Sequence, residues 1–482
     1  MAKVIVALPP PSARLHSILL QPPRSISDLD RQYLWHPFTH QALWTAAEPL
    51  VIAAAEGVYL IDEQGRRYID GIASMWCNVH GHRVPEIDAA ITRQLGRVAH
   101  TTLLGLASEP AALLAEKLIS VAPPGLAKVF YSDSGATATE IAFKMAAQYW
   151  HNRGRPEKCE FVGLTEAYHG DTVGAMSVGM TSAFHKPYMP LLFKVHYSPA
   201  PEWTGDDAAA ADACAAALRA MDAILRAHAA RIAAVCIEPH VMGAAGIRVQ
   251  PPGFVWGVRD LATRHDVMLI CDEVATGFGR TGRMFACEIE GITPDLLCLG
   301  KGITGGYLPL AATLAKQSVY DAFLGAPWEG KTFFHGHTYT GNPLACAAAA
   351  ASLELFASSD LLARVQATAR SLAEMLRPLK GLAHVGDVRQ AGLMVGIDLV
   401  ADRASLSRFD PRLRVGAAVC DRLRRHGVIL RPLGDTIVLM PPLVITVDQL
   451  ATIVNALRHE ITLIDQAAAV RHVGDEQVAG DF

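Results

Sequence analysis

Two carboxylates, Asp272 and Glu273, close the unbroken apolar run Val267-Met-Leu-Ile-Cys271. A run of that kind reads as a strand buried on both faces, and its last residues reach the edge where open α/β sheets bind ligands. A carboxylate desolvated there needs a cationic partner, a part that a protonated ring nitrogen would fill. An acid that caps the following helix fits the same residues. A second buried run, Leu296-Leu-Cys-Leu299, opens into Gly300-Lys301-Gly302, with Gly305 and Gly306 beyond. Desolvation lowers the proton affinity of a lysine, and the free amine can form a Schiff base with a carbonyl. Taken alone, Lys301 also reads as a surface lysine in a glycine-rich turn.

Two further segments follow buried runs. Ser132-Asp133-Ser134-Gly135-Ala136-Thr137 opens a long helix with small residues. Its first N–H groups and the helix dipole favour a phosphate, although a helix capped by Ser134 or Asp133 needs no ligand. Tyr168, in Tyr168-His-Gly-Asp171, could stack on a planar cofactor or belong to the core. Other glycines mislead. A phosphate-binding Walker loop is excluded, because Asp295 and Gly302 occupy positions that need Gly and Ser or Thr. Gly277-Phe-Gly-Arg-Thr-Gly282 matches a dinucleotide fingerprint but starts five residues past Asp272 and carries Arg280, with Arg283 next. It keeps a dinucleotide-binding oxidoreductase as a distant alternative. His80-Gly-His82 and His335-Gly-His337 lack further ligands at zinc spacing, and no metal is expected.

The elements that must position these residues follow from the apolar pattern. Continuous runs at Val129–Tyr131, Phe161–Leu164, Ala234–Ile237, Val267–Cys271 and Leu296–Leu299 alternate with long Ala- and Leu-rich stretches. That pattern predicts an α/β fold with a mainly parallel sheet. Val58 to Asp70 reads as a hairpin turning at Gly65, Ser352 to Leu379 as a helix, and Gly392–Leu399 and Ile437–Met440 as strands around a helix that ends near Gly427. The expected domains are a mobile tail over 1–25, a large domain over 86–350, and a smaller α+β domain built from 26–85 and 351–482. The chain has 482 residues, 43 Lys and Arg against 47 Asp and Glu, and 51 % hydrophobic residues. The charge balance offers nothing to a polyanion, so nucleic acid is not expected. No apolar stretch reaches the length of a membrane span. Nine cysteines without CxxC pairs read as free thiols in the cytoplasm.

Taken together, a strand-end Asp, a Lys after the next strand, a phosphate-ready helix start and a stackable Tyr describe one site for pyridoxal phosphate. The chain resembles the class III aminotransferases over nearly all of 30–465. The resemblance rests on Tyr131-Ser-Asp-Ser-Gly-Ala, Tyr168-His-Gly-Asp-Thr, Ile237-Glu-Pro, Asp272-Glu-Val-Ala-Thr-Gly-Phe-Gly-Arg-Thr-Gly, Gly300-Lys-Gly-Ile-Thr-Gly-Gly-Tyr-Leu-Pro and His337-Thr-Tyr-Thr-Gly-Asn-Pro. It implies fold type I, the aspartate aminotransferase-like architecture. Lys301 is then the Schiff-base lysine, Asp272 the partner of the pyridine nitrogen, and Tyr168 the residue that stacks on the ring. Ser134, Gly135 and Ala136 would hold the phosphate, with Thr338 from the other subunit of a homodimer.

Within that class, Leu34-Trp-His-Pro-Phe-Thr39, Asp70 to His82, His100-Thr-Thr-Leu-Leu-Gly105 and Leu430-Arg-Pro-Leu-Gly-Asp435 resemble the biotin-pathway branch. That branch converts 8-amino-7-oxononanoate to 7,8-diaminononanoate. By this resemblance Arg431 binds the substrate carboxylate, and Phe38, Trp76 and Gly336 line the substrate beside Tyr168 and Lys301. Asp171 and Glu238 are supporting carboxylates. The amino donor is S-adenosylmethionine or lysine. Forms that use adenosylmethionine typically show His-Pro-Tyr and Trp-Trp where this chain has His36-Pro37-Phe38 and Met75-Trp76, and the His335 to Asn342 segment looks more like the lysine-using branch. The alternatives are another class III ω-amino acid or diamine aminotransferase and a catalytically silent binding protein on the same scaffold.

Overall fold

The computed structural model describes residues 24–180, 182–203 and 205–464. The tail expected at 1–25 lies outside the described residues up to 23. Ser25 is described, and its Oγ accepts the Asp28 N–H to cap a helix at Ile26–Tyr33. The chain divides into two compact units, one holding residues of 1–55 and 60–67, the other those of 56–59 and 68–482. In the smaller unit Asp30 ties two helices together, accepting from Trp44 Nε1 at 2.8 Å and meeting His36 Nε2 at 3.0 Å.

The larger unit is built on seven strands: β1 (Leu126–Ser132), β2 (Glu160–Leu164), β3 (His196–Ser198), β4 (Ile232–Ile237), β5 (Met268–Asp272), β6 (Leu296–Leu299) and β7 (Ala311–Lys316). Their spatial order is β1-β7-β6-β5-β4-β2-β3. Only β7 runs antiparallel to its neighbours, so the sheet is mainly parallel as expected. Alternate residues of each strand point to opposite faces. Met268 and Ile270 of β5 and Leu296 and Cys298 of β6 pack with α1 (Gly135–Asn152) through Ala138, Ala142, Phe143, Ala146 and Trp150. Leu269, Cys271, Leu297 and Leu299 face the core that holds α2 (Asp207–His228) and α3 (Phe254–Arg264). Ala138, Ala142 and Ala146, one turn apart, let α1 lie close on the sheet between the larger Phe143 and Trp150. The same alternation puts Asp272, two residues beyond Ile270, on the α1 face at the end of β5.

A second, antiparallel sheet holds β8 (Val385–Ala391), β9 (Met394–Leu399), β10 (Arg431–Leu433) and β11 (Thr436–Leu439) in the order β8-β9-β11-β10. The single helix expected from Ser352 to Leu379 is instead two, α4 (Pro343–Ser358) and α5 (Leu361–Leu376). Asp360 breaks them in the left-handed region at φ 48°, a conformation that Asn and Asp with their short polar side chains tolerate better than other non-glycine residues. Just before β10, Val428 and Ile429 pair in parallel with Ile69 and Asp70, which lays an early segment beside a late one. Among the described residues no single helix is long and apolar enough to cross a membrane.

Candidate active site

Parallel pairing of β5 with β6 matches Asp272 to Cys298, so both strands deliver their next residues to one edge of the sheet. Beyond β5, the Glu273 N–H donates to the Cys298 carbonyl. Beyond β6, Gly300 and a short 3-10 turn carry Lys301, held at φ 40°. A non-glycine residue there is strained, and such strain persists only where the surroundings over-determine it. Gly300 is one cause: a Cβ on it would sit 3.2 Å from Gly135 Cα and from Val274 Cγ1.

The helix start is equally tight. Ser134 caps α1 in a capping box with Thr137, its Oγ accepting the Thr137 N–H while Thr137 Oγ1 accepts the Ser134 N–H at 3.0 Å. Of the two caps that the sequence leaves open, Ser134 is the one used. A Cβ on Gly135 would lie 2.4 Å from Val274 Cγ1, and one on Gly170, at φ 123°, would lie 2.4 Å from Ala136 Cβ. These near contacts draw the helix start, the segment after β5, the loop after β6 and the Tyr168 loop into one place.

Asp272 is buried, and its Oδ2 lies 2.7 Å from His169 Nδ1 while Oδ1 accepts the Val274 N–H. His169 is fully enclosed. Burial pulls its proton affinity down, but the hydrogen bond and charge of Asp272, with the charge of Glu238, more than offset this and hold it above the ordinary histidine value. Glu238 accepts from the N–H groups of Tyr168 at 3.0 Å and Gly243 at 2.9 Å. Desolvation pushes its carboxyl up to about 7. Tyr168 donates its hydroxyl to Asp171 Oδ2 at 2.9 Å, and burial, then Asp171, raise the phenol above its usual range. Burial lowers the Lys301 amine, against the opposing pull of Asp272 and Glu238. Its Nζ lies 5.0 Å from the centre of the Trp76 ring.

Arg431, on β10, donates from Nη1 to the Met75 sulfur at 3.3 Å. Met75 and Trp76 are consecutive, so one turn of chain touches both Arg431 and Lys301. The contacts of His169 with Asp272 and of Met75 with Arg431 are the site features that the sequence reading did not assign. His169 stood inside a motif already singled out, and a histidine one residue past the stacking tyrosine was the available signal. Met75 was read only as a departure that bears on the donor; its place beside Arg431 was not legible, since it depends on the pairing of residues 69–70 with 428–429.

Other expected residues are exposed. Gly336 and Thr338 are exposed on the loop before α4, where Gly336 borders a cavity of about 350 Å³ lined also by Leu103, Leu104, Tyr131 and His337. None of the residues around Lys301 line it. Phe38 belongs to the smaller unit, where it is exposed. In the first His-Gly-His pair His80 meets Ser352 Oγ and His82 meets Asp70; in the second the two Nε2 atoms face each other at 3.2 Å, while His335 also meets Lys144 Nζ and His337 lies 2.7 Å from Asp133. Gly277–Gly282 opens no phosphate-binding helix. Its Arg280 is buried and donates to the carbonyls of Asn78 and Pro441.

A mainly parallel seven-stranded sheet that gathers a desolvated lysine, a strand-end carboxylate and a glycine-lined helix start is the architecture of fold type I transferases. The chain belongs to the class-III aminotransferase family, whose model it matches over residues 41–461. The adenosylmethionine-8-amino-7-oxononanoate aminotransferase of Geobacter sulfurreducens is 52 % identical over 442 residues, 91 % of this chain and 97 % of that protein. The crystal structure of the enzyme of that name from Methanocaldococcus jannaschii matches with a TM-score of 0.86 at 44 % identity, covering 90 % of this chain and 98 % of that one. An amine transaminase from an uncultivated Pseudomonas species, solved in its PLP-bound form, matches with a TM-score of 0.84 at 37 % identity, covering 89 % and 98 %.

Proposed function

We propose that this aminotransferase aminates 8-amino-7-oxononanoate to 7,8-diaminononanoate in biotin synthesis, with pyridoxal phosphate as cofactor and adenosylmethionine as donor. The observation that carries the reading is Arg431. Among the described residues no carboxylate pairs with it, and its neighbour Met75 is only a weak acceptor. A guanidinium placed one turn of chain from Lys301 suits an acceptor with its ketone at one end and its acid at the other, and charge-assisted pairing would displace the thioether. The names of the relatives supply the same acceptor and donor.

The residues fit the cofactor. Gly135, Gly170 and Gly300 let the helix start, the Tyr168 loop and the Lys301 loop pack closely together, and α1 leaves the N–H groups of Gly135 and Ala136, which could hold a phosphate, without intrahelical partners. Asp272, oriented by His169 and Val274, would accept the ring N–H, and Tyr168 would cover a ring face. Bound pyridoxal phosphate supplies the electron sink that lets a proton leave the carbon bearing the amine. Lys301 does the proton work. Because burial lowers its proton affinity, more of its Nζ is the free amine that takes a proton from carbon and returns it. The Trp76 ring lies beside this amine.

The reading extends to a homodimer in the cytoplasm. Gly336 and Thr338 are exposed on the loop before α4, which supports their serving the site of a second copy. Nine free cysteines suit a reducing compartment. A lysine donor is the second reading, favoured by Met75 where an indole is the commoner residue. The acceptor is tested by expression in a biotin auxotroph that lacks this amination step. Growth without biotin is expected, and failure to grow while the expressed chain converts other ketones would contradict the assignment.

A further inference from the structure

Four consecutive residues, none of them glycine, hold positive φ: Ala73 at 47°, Ser74 at 55°, Met75 at 107° and Trp76 at 69°. L-residues visit this region singly, not in runs, so a left-handed turn of this length stands only if its surroundings enforce it. Both flanks are fastened by backbone. Gly71 donates to Ile429 and its carbonyl accepts from Met440, and beyond the turn Val79 bonds Gly305 and Leu443 while Arg280 holds the Asn78 carbonyl. Inside the turn, backbone bonds run from Met75 and Trp76 to Ile72 and from Cys77 to Ala73.

The side chain that spans the turn is Asp70, which is fully buried. Its Oδ1 accepts the Ser74 N–H at 2.9 Å, and its Oδ2 accepts the Ser74 hydroxyl at 2.7 Å and meets His82 Nε2 at 3.1 Å. Asn78 fixes how His82 takes part. Asn78 Oδ1 accepts the Gly81 N–H, so its Nδ2 is the atom facing His82 Nδ1 at 3.2 Å, which makes Nδ1 an acceptor and puts the ring proton on Nε2, toward Asp70. Every donor around the carboxylate is therefore matched. What the turn presents is functional: Trp76 over Lys301 and Met75 against Arg431.

We propose that Asp70, with His82 behind it, is a positioning residue that holds this left-handed turn and thereby sets the affinity for the amino acceptor. The kinetic consequence rests on the function proposed above; the positioning does not. Asp70→Asn keeps the size but loses one acceptor, and Ala73→Gly relieves a left-handed position at the loss of one methyl group.

The test compares the holoenzyme with Asp70→Asn, His82→Ala and the Asp70→Asn, Ala73→Gly double variant. Amide hydrogen exchange over 70–82 is expected to speed up in both single variants while the rest of the chain is unchanged. The KM for 8-amino-7-oxononanoate is expected to rise about tenfold, the scale of one lost hydrogen bond to a charged group, with kcat within about threefold. The added glycine is expected to restore both exchange and KM toward the unsubstituted values. Unchanged exchange over 70–82, a KM within about twofold, or equal loss of kcat and cofactor without rescue by glycine would each overturn the proposal. If the unsubstituted chain does not act on 8-amino-7-oxononanoate, the functional reading fails, and exchange and glycine rescue still decide the role of Asp70.

Discussion

In the proposed function Lys301 and Arg431 divide the chemistry at the scale of single residues, one handling the proton and the other the far end of the acceptor. Lys301→Ala is expected to abolish transamination and the covalent cofactor adduct that borohydride traps in the intact enzyme. An adduct of undiminished yield at another lysine, seen by peptide mass mapping, contradicts the assignment. Arg431→Ala is expected to raise KM for 8-amino-7-oxononanoate about ten- to a hundredfold, as loss of a charge-assisted contact of about 1.5–3 kcal/mol would do, with a smaller effect on kcat. Steady-state kinetics on the acid and on an analogue lacking the carboxylate separate the two cases, because the analogue should not notice the change. At this scale Lys301 and Asp272 were visible in sequence as charged residues at the ends of apolar runs. His169 was not, because its contact with Asp272 spans 103 residues of chain.

Elements decide whether those residues meet. The five apolar runs read from the sequence all fall on strands, since burial on both faces leaves an unbroken hydrophobic signal. β3 and β7 were missed for physical reasons. His196–Ser198 is three residues long and partly polar, and Ala311-Ala-Thr-Leu-Ala is as compatible with a helix as with a strand. The break between α4 and α5 was missed because the apolar pattern runs across it while one residue, Asp360, turns left-handed. Glycine contacts predict the cofactor's dependence on element packing. Gly170→Ala, at φ 123° and 2.4 Å from Ala136 Cβ, is expected to weaken cofactor binding about tenfold or more by displacing the start of α1, measured by titration of the apoenzyme. An unchanged affinity would show that the loop moves instead of the helix.

His80 links the segment after the left-handed turn to α4 through Ser352 Oγ at 3.0 Å. Burial depresses its pKa from 6.5 to about 4. Below 6.5 the unfolded chain takes up a proton that the folded chain refuses until about 4, so stability falls as pH drops across that window. His80→Gln removes this dependence. Relative to the unsubstituted chain, the variant should gain on the order of 3 kcal/mol between pH 7 and pH 4, read as a Tm difference that shifts in its favour. A Tm difference independent of pH sinks the argument.

Over the whole molecule, the fold class and the family were legible from motifs spread over most of the chain, and the family model covers 41–461. The reading of 26–85 and 351–482 as one smaller domain already puts early and late segments together, but the particular pairing of Val428–Ile429 with Ile69–Asp70 was not legible, because a two-residue parallel pairing leaves no periodic trace in either segment. Sedimentation of the purified protein is expected to give a dimer, and a monomer that keeps full activity would remove Thr338 of a second copy from the site. The donor is the point at which sequence details and relatives part, Phe38 and Met75 favouring lysine and the names of the relatives favouring adenosylmethionine. The most direct measurement incubates the holoenzyme with 8-amino-7-oxononanoate and either S-adenosylmethionine or lysine, and quantifies 7,8-diaminononanoate by mass spectrometry. Formation of the diamine with adenosylmethionine, lost in Lys301→Ala, is the predicted result; no diamine with either donor would contradict the proposed function, and diamine with lysine alone would overturn the donor.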